Sequence, residues 1–328
     1  MIGRAVVPRL RDVGWDVTLG SRGEREHAPG LEGARFAPVD RREPGSLERA
    51  VADGADVLVD VLAMRPADAE QLLGLAGRVG SLVAISTASV YAGTDGRVLD
   101  DMQGPDDFPD YPVPIPESQP TAPPGESTYS REKAAMERLL LEQDALPATV
   151  VRPCAIHGPG DRQAREWFFV KRALDRRPYV VLAYRGASRF HTTSSANLGE
   201  LVRLAAERPG TRAVNCGDPE PPTVLEIGRS VARILDHEWV EVLLAGGEEV
   251  GGTPWSAPAP LVVDMTAADH ELGYRPVTRY DEWLERTVEY LVAATRDRPW
   301  QAAFPVGARY LRFDYEAEDA CVRSLAAR

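Results

Sequence analysis

Tyr129 and Lys133 stand four residues apart in Ser127-Thr128-Tyr129-Ser130-Arg131-Glu132-Lys133, at the head of a helical run from Ala134 to Leu141. On a helix this spacing puts both side chains on one face. An ammonium beside a phenol stabilises the phenolate and lowers a pKa that starts near ~10. Such a tyrosine exchanges a proton with a carbinol near neutral pH, which is the acid/base half of a hydride transfer. The plain alternative is a tyrosine on a solvated helix with a lysine pointing outward. Composition weighs against a chance pair, because the chain has ten Tyr but only two Lys, Lys133 and Lys171.

Two such side chains need a sheet beneath them. Gly3 to Val13 reads as a helix ending at Gly14, followed by a strand over Trp15-Asp16-Val17-Thr18-Leu19 and an exit loop, Gly20-Ser21-Arg22-Gly23. Arg35 to Val39 reads as a strand ending at Asp40, Ser46 to Ala52 as a helix, and Val57 to Leu62 as an apolar strand. Ala67 to Val79 supplies the next helix and Ser81 to Ser86 the next strand. Continuously apolar strands alternating with helices predict an α/β fold, a Rossmann-like doubly wound parallel sheet with its ligand crevice at the strands' carboxyl ends. Ser86 and Thr87 leave one of those ends, setting a hydroxyl beside the crevice; alone, such an exit is ordinary turn chemistry. Asp100 to Glu126 holds eight prolines and predicts a long loop over the site.

Thr149 to Arg152 reads as a further strand, running into Pro153-Cys154-Ala155-Ile156-His157-Gly158-Pro159-Gly160-Asp161, a sharp exit toward a smaller C-terminal α/β lobe. Residues 1–153 are thus expected to form a dinucleotide-binding domain, with segments near 190–218 returning to it. Residues 154–328 are expected to form mainly a substrate lobe and tail. His157 reads as a hydrogen-bonding spacer and Asp161 as a turn cap. Ala164 to Leu174 looks helical, Ala213 to Asn215 looks like a strand rejoining the main sheet, and Asp281 to Thr295 is an amphipathic helix. The tail aromatics Trp300, Phe304, Tyr310, Phe313 and Tyr315 are expected to pack on the smaller lobe.

The net charge of −12 over 328 residues excludes nucleic acid and an anionic membrane as principal partners and leaves a small-molecule substrate. Three isolated cysteines, Cys154, Cys216 and Cys321, without CxxC spacing, speak against a disulfide framework or a structural zinc site and for a reducing compartment. With no charged-then-apolar leader and no apolar run near the ~18 residues of a membrane span, the expected location is cytoplasmic.

Thr87-Ala88-Ser89-Val90-Tyr91, Tyr129-Ser130-Arg131-Glu132-Lys133 and Arg152 to Asp161 together resemble, in order and spacing, the extended short-chain dehydrogenase/reductases, the NAD-dependent epimerase/dehydratase family. Glu271-Leu272-Gly273-Tyr274-Arg275-Pro276 is similar to that family's lead into its last large helix. The resemblance implies a catalytic triad of Thr87, Tyr129 and Lys133. Thr87 would bond the substrate oxygen, Tyr129 act as acid or base, and Lys133 hold the cofactor ribose and tune Tyr129. It implies an NADP or NAD site lined by Gly3, Ser21, Arg22, Asp40, Leu62, Ala63, Ser86, Pro153 and Ile156 together with Tyr129 and Lys133. It also implies a homodimer built on the Tyr/Lys helix, and Arg165 and Arg189 become candidates to meet phosphates of a nucleotide sugar.

The chain departs from the family in three places. Of the glycine-rich turn after the first strand only Gly3 remains, so a start lying downstream of the true one is expected; otherwise the chain is a variant, with Ala308 to Phe313 a candidate to pair in the gap. Ser21-Arg22 stand where an NAD site has an acid, which favours NADP. Ala88-Ser89 replace the Asp-Glu pair of the sugar dehydratases, which leaves epimerisation or ketone/alcohol oxidoreduction. The expected function is therefore an NAD(P)-dependent epimerase or reductase of a sugar-like molecule. The alternative is a catalytically inactive dinucleotide-binding or regulatory protein on the same fold.

Overall fold

The structure, a computed structural model, describes residues 1–23, 31–247 and 250–327. It opens with helix α1 (Ile2–Asp12), strands β1 (Thr18–Ser21) and β2 (Arg35–Pro38), and helix α2 (Ser46–Ala50). Then come β3 (Ala55–Asp60), α3 (Pro66–Leu73), β4 (Val79–Ile85), α4 (Tyr129–Leu141) and β5 (Ala148–Pro153). Further along, α6 (Ser195–Glu207) and β9 (Arg212–Cys216) return to the same sheet. All of these strands pair in parallel, in the order β3-β4-β5-β9 with β1-β2 as a separate pair. One apolar layer, holding Val6, Leu10, Leu201 and Val202, packs α1 and α6 on one face; another, with Leu72, Leu75, Met136 and Leu140, packs α3 and α4 on the other. This is the doubly wound arrangement that the apolar strands predicted. α1 and α6 meet so closely that a Cβ on Gly199 would lie 2.7 Å from the Ala5 carbonyl oxygen.

The sheet of the described residues is divided between β1 and β3. Among the described residues β1 pairs only with β2, and β3 only with β4, so each turns an unpaired edge toward the place between them. Ala308 to Phe313 does not fill that place. Its start forms a 3₁₀ turn, Gly307–Arg309, while Leu311 and Phe313 pack on the C-terminal core and the Tyr310 hydroxyl donates to the Gln163 carbonyl at 2.5 Å. The burial of its apolar side chains there outweighs backbone pairing elsewhere. Several ends also shift: the first expected strand is Thr18–Ser21, three residues late, and the helix expected from Ala164 begins at Trp167.

The remaining elements are β6 (Ala155–His157), α5 (Trp167–Leu174), β7 (Tyr179–Leu182), β8 (Thr192–Ser194), α7 (Val224–Ile234) and β10 (Val240–Leu243), followed by α8 (Thr266–Leu272), α9 (Tyr280–Ala294), α10 (Trp300–Ala303) and α11 (Tyr315–Ala326). Phe169, Ile227, Trp255, Leu284 and Phe304 centre a second core here; of the tail aromatics Trp300 and Phe313 pack on it as expected and Tyr315 meets the edge of Phe313, while Tyr310 is exposed. No helix among the described residues is long and apolar enough to cross a membrane.

His157, on β6, joins the two cores. Its Nε2 lies 2.9 Å from Asp218 Oδ2 and its Nδ1 3.3 Å from the Thr287 hydroxyl, while Tyr280 stacks on the ring. Asp218 also accepts from the Ser194 amide, the Thr192 hydroxyl and the Asn197 amide. His157 is thus the structural spacer expected. Gly158 beside it must be glycine: φ is 140°, and a Cβ would lie 2.2 Å from Ser195 Oγ.

Burial alone would discharge His157, but the Asp218 carboxylate and its hydrogen bond outweigh that and hold its pKa above the ordinary 6.5. Burial also works against the charge of Asp218, yet His157 and the bonds from Ser194 and Thr192 bring its pKa down to about 2. The aspartate's contribution is complete above its ordinary 3.8 and is lost as pH falls through about 2; the histidine's is complete below 6.5 and is lost as pH rises through its raised value. His157→Gln should therefore cost about 3 kcal/mol between those limits, because it strands a buried carboxylate. Paired melting curves should show the gap to wild type narrowing above the ordinary histidine pKa; a gap constant with pH would mean that the pair is not ionised.

Candidate active site

The carboxyl ends of the parallel strands form one rim, and the residues singled out from the sequence fall along it. Ser21 ends β1, Asp40 follows β2, Leu62 and Ala63 follow β3, Ser86 and Thr87 follow β4, and Pro153 ends β5. Asp60, the last residue of β3, organises the middle of this rim. Its Oδ1 accepts from the Leu62 and Ala63 amides, and its Oδ2 accepts from Arg41 at 2.5 Å. Arg41 reaches on to Gln71 and the Asp68 carbonyl, fastening the segment after β2 to α3. Asp60 was missed in the sequence, although an acid closing an apolar strand, buried to 7% exposure, is a signal in itself.

α4 enters over this rim. Thr128 precedes it in extended backbone without a side-chain cap; the first-turn amide of Ser130 instead donates 2.6 Å to Asp100 Oδ2, from the proline-rich loop. Asp101 adds an ion pair to Arg131 at 2.8 Å. The long loop thus anchors the start of the Tyr129 helix, and it is tied back by a bridge between Tyr91 and Thr121. Behind α4, Arg152 on β5 binds Glu137 through two nitrogens and meets the Tyr91 hydroxyl at 3.1 Å, a buried pair in which each guanidinium nitrogen finds an acceptor.

Thr87 and Tyr129 come together: the threonine hydroxyl stands near enough to the phenol to favour its ionised form, while Thr87 Oγ1 accepts from the Ser89 amide and donates to Ser89 Oγ. Tyr129 keeps 45% of its surface exposed, toward the crevice. Lys133, one turn on, is buried, and its Nζ donates to the Ala63 carbonyl at 2.7 Å and the Ile85 carbonyl at 2.9 Å. This corrects the expected tuning. Lys133 points down into the ends of β3 and β4, where desolvation lowers its own pKa against the pull of Asp60 and Glu137. The Tyr129 pKa moves up, not down: desolvation raises it, and the Thr87 hydroxyl and the charge of Arg165 offset only part of that.

The other singled-out residues divide. Ser86 is buried and its Oγ has no partner. Leu62 is 68% exposed beside it. Ser21 Oγ accepts from the Gly23 amide, and Asp40 Oδ1 from the Arg42 amide, so both close turns. Ile156 is half-buried against the sheet core. Gly3 lies in the first turn of α1 with open space around it. Arg189 is exposed and shares its field with Glu226, whereas Arg165 is half-buried near Tyr129.

The model of the NAD dependent epimerase/dehydratase family matches residues 1–217. The chain belongs to that family. Solved structures with this family's fold include the UDP-glucose 4-epimerase of Thermotoga maritima with UDP-glucose, 20% identical at a TM-score of 0.66, which covers 89% of this chain and 96% of its own. A putative epimerase of Burkholderia cenocepacia is 21% identical at a TM-score of 0.69, over 88% of this chain and 94% of that one. The dTDP-glucose 4,6-dehydratase of Bacillus anthracis in complex with NAD is 16% identical at 0.65, over 92% and 95%. At these identities the likeness speaks to the fold. No curated protein sequence matches the chain.

For this epimerase/dehydratase fold the loop contact at Asp100 is the testable element of the site. Asp100→Ala should lower unfolding free energy by about 1 kcal/mol, as loss of a helix-start acceptor does, in urea titration, and should raise hydrogen exchange at the Ser130 amide. Unchanged exchange there would mean that the loop does not hold α4.

Proposed function

We propose that this chain is an NAD(P)-dependent epimerase or reductase acting on a sugar-like substrate, foremost a nucleotide sugar, with Tyr129 as acid and base. The meeting of the Tyr129 phenol with the Thr87 hydroxyl at the open rim of the sheet, one turn before Lys133 anchors the helix to the ends of β3 and β4, carries the reading. Nucleotide sugars are favoured because the structural relatives include an epimerase solved with UDP-glucose and a dTDP-glucose dehydratase solved with NAD. The exposed Leu139 on α4 suits a second copy packing on that helix.

The residues at the rim suit the nicotinamide end of a dinucleotide. Ser86 Oγ is a buried hydroxyl without a partner, Lys133 has one ammonium proton not used by its two carbonyls, and Leu62 offers an apolar face. When bound, NAD(P) supplies the hydride acceptor and donor. Thr87 then orients the substrate oxygen and Tyr129 passes the proton. As the carbinol carbon is oxidised its hydroxyl proton goes to the Tyr129 oxygen, and on reduction the phenol returns it. Because its pKa is raised, Tyr129 rests as a phenol and is ready to act as the acid in reduction; in the oxidative direction it must first give up its own proton, and the phenolate then takes the carbinol's. Ala88 and Ser89, in a short 3₁₀ turn after Thr87, bring no carboxylate to the site, so elimination of water is not the reaction.

A second reading is favoured by one observation. The described residues offer no glycine cradle for a pyrophosphate: a Cβ on Gly3 would meet nothing within 4 Å, and β1 and β3 do not pair with each other. On that reading the chain is a catalytically idle member of the fold.

Tyr129→Phe should melt as wild type does and lose about 100-fold or more in turnover with UDP-sugars, since one general acid/base hydroxyl is removed; undiminished turnover would end the proposal. Equilibrium binding of NADPH and NADH separates the two readings. Binding of NADPH over NADH, reversed by Arg22→Asp, is expected; binding of neither would favour the idle scaffold.

A further inference from the structure

Glu137 lies two turns beyond Tyr129 and one beyond Lys133 on α4, so the three side chains form one stripe along the helix. Lys133 fastens that stripe to the ends of β3 and β4, and Glu137 fastens it to β5 through Arg152. The guanidinium grips the carboxylate as a fork, with Nη2 donating to Oε2 at 2.6 Å and Nε at 3.0 Å. One anchor leaves a rod free to swing about it; a second, ~6 Å along the axis, holds its direction as well. Tyr129, 45% exposed at the open end of the helix and ~12 Å from Glu137, takes its place from those two anchors.

The same guanidinium also reaches the Thr87 side of the site. Its Nη1 donates to the Tyr91 hydroxyl at 3.1 Å, and Tyr91 closes the short turn that Thr87 opens. The Tyr91 hydroxyl donates in turn to Asn215 Oδ1 at 2.6 Å, and the guanidinium lies over the Tyr91 ring, 4.9 Å from its centre. Nη1 reaches the Glu117 carbonyl in the proline-rich loop at 3.3 Å, while the Asn215 amide donates to Glu117 Oε1 at 2.8 Å. Arg152, Glu137, Tyr91 and Asn215 are all buried. A buried ion pair adds little stability that apolar residues of like volume would not supply. What apolar residues cannot supply is direction: donors fixed in one plane set the helix of Tyr129, the turn of Thr87 and the loop relative to one another.

We propose that Arg152 is a positioning residue: it sets the approach of the Tyr129 phenol to the Thr87 hydroxyl, holding one through Glu137 and the other through Tyr91, with the loop tied over both through Glu117. The assignment rests on the acid/base reading of Tyr129 above and adds to it the group that aligns the acid.

Two variants test it. Arg152→Lys keeps the charge and loses the fork; Arg152→Met combined with Glu137→Leu removes the pair and keeps the volume. Both should melt close to wild type. Isotope-labelled tyrosine gives an NMR signal for Tyr129, assigned by its loss in Tyr129→Phe, that reads the alignment without turnover. In wild type Thr87→Ala should move that signal; in either Arg152 variant the same substitution should move it far less, because the two groups no longer meet. Turnover with UDP-sugars should fall about 10-fold or more with KM within about twofold, since substrate still binds while the acid is displaced. A purely structural role gives the reverse: lower melting, with the Thr87 response and kcat of wild type in whatever folds. A full Thr87 response or undiminished kcat in a folded variant overturns the proposal, and so does failure of both variants to fold. Wild type that shows the Thr87 response but turns over no UDP-sugar ends the functional reading, and the spectra alone then decide the role of Arg152; wild type without that response overturns both.

Discussion

A buried ammonium needs acceptors, and Lys133 finds them in the last carbonyls of two neighbouring strands. That requirement fixes much of the site. To reach Ala63 and Ile85 the helix that carries Lys133 must lie over the ends of β3 and β4, and this in turn brings Tyr129, one turn earlier, to Thr87. Asp60 completes the arrangement by holding the Ala63 segment in place and lending negative charge to the ammonium. The phenol, the hydroxyl and the amine are therefore placed by one electrostatic need rather than by three separate ones.

Among the described residues the parallel sheet is parted between β1 and β3. The hydrophobic layers still close on both faces, because α1, α3, α4 and α6 bury their apolar stripes whether or not β1 and β3 touch. What is left open is backbone: two strand edges whose amides and carbonyls find no ladder partner between them. Side-chain packing and main-chain pairing are thus separable in this chain.

Much of the architecture was legible in the sequence, because buried parallel strands must be apolar along their length. Val57 to Leu62 and Ser81 to Ser86 show this, and both lie in the four-stranded sheet. The Thr87, Tyr129 and Lys133 positions were legible through type and spacing. Their mutual orientation was not, since the partners of Lys133 lie 70 and 48 residues away and a period of 3.6 says nothing about which carbonyls a long side chain will reach. The same distance hid Asp100, whose bond to Ser130 spans 30 residues. Strand ends moved where an alternating polar residue left the boundary undefined, as at Thr18.

The histidine and aspartate on β6 and after β9 also govern how the molecule comes apart. Thr287 belongs to the C-terminal core and Asn197 to the helix layer under the main sheet, and both are tied to that one pair. Neither half can loosen without admitting water to a charged couple that the other half shields, so the two cores melt as a single cooperative unit.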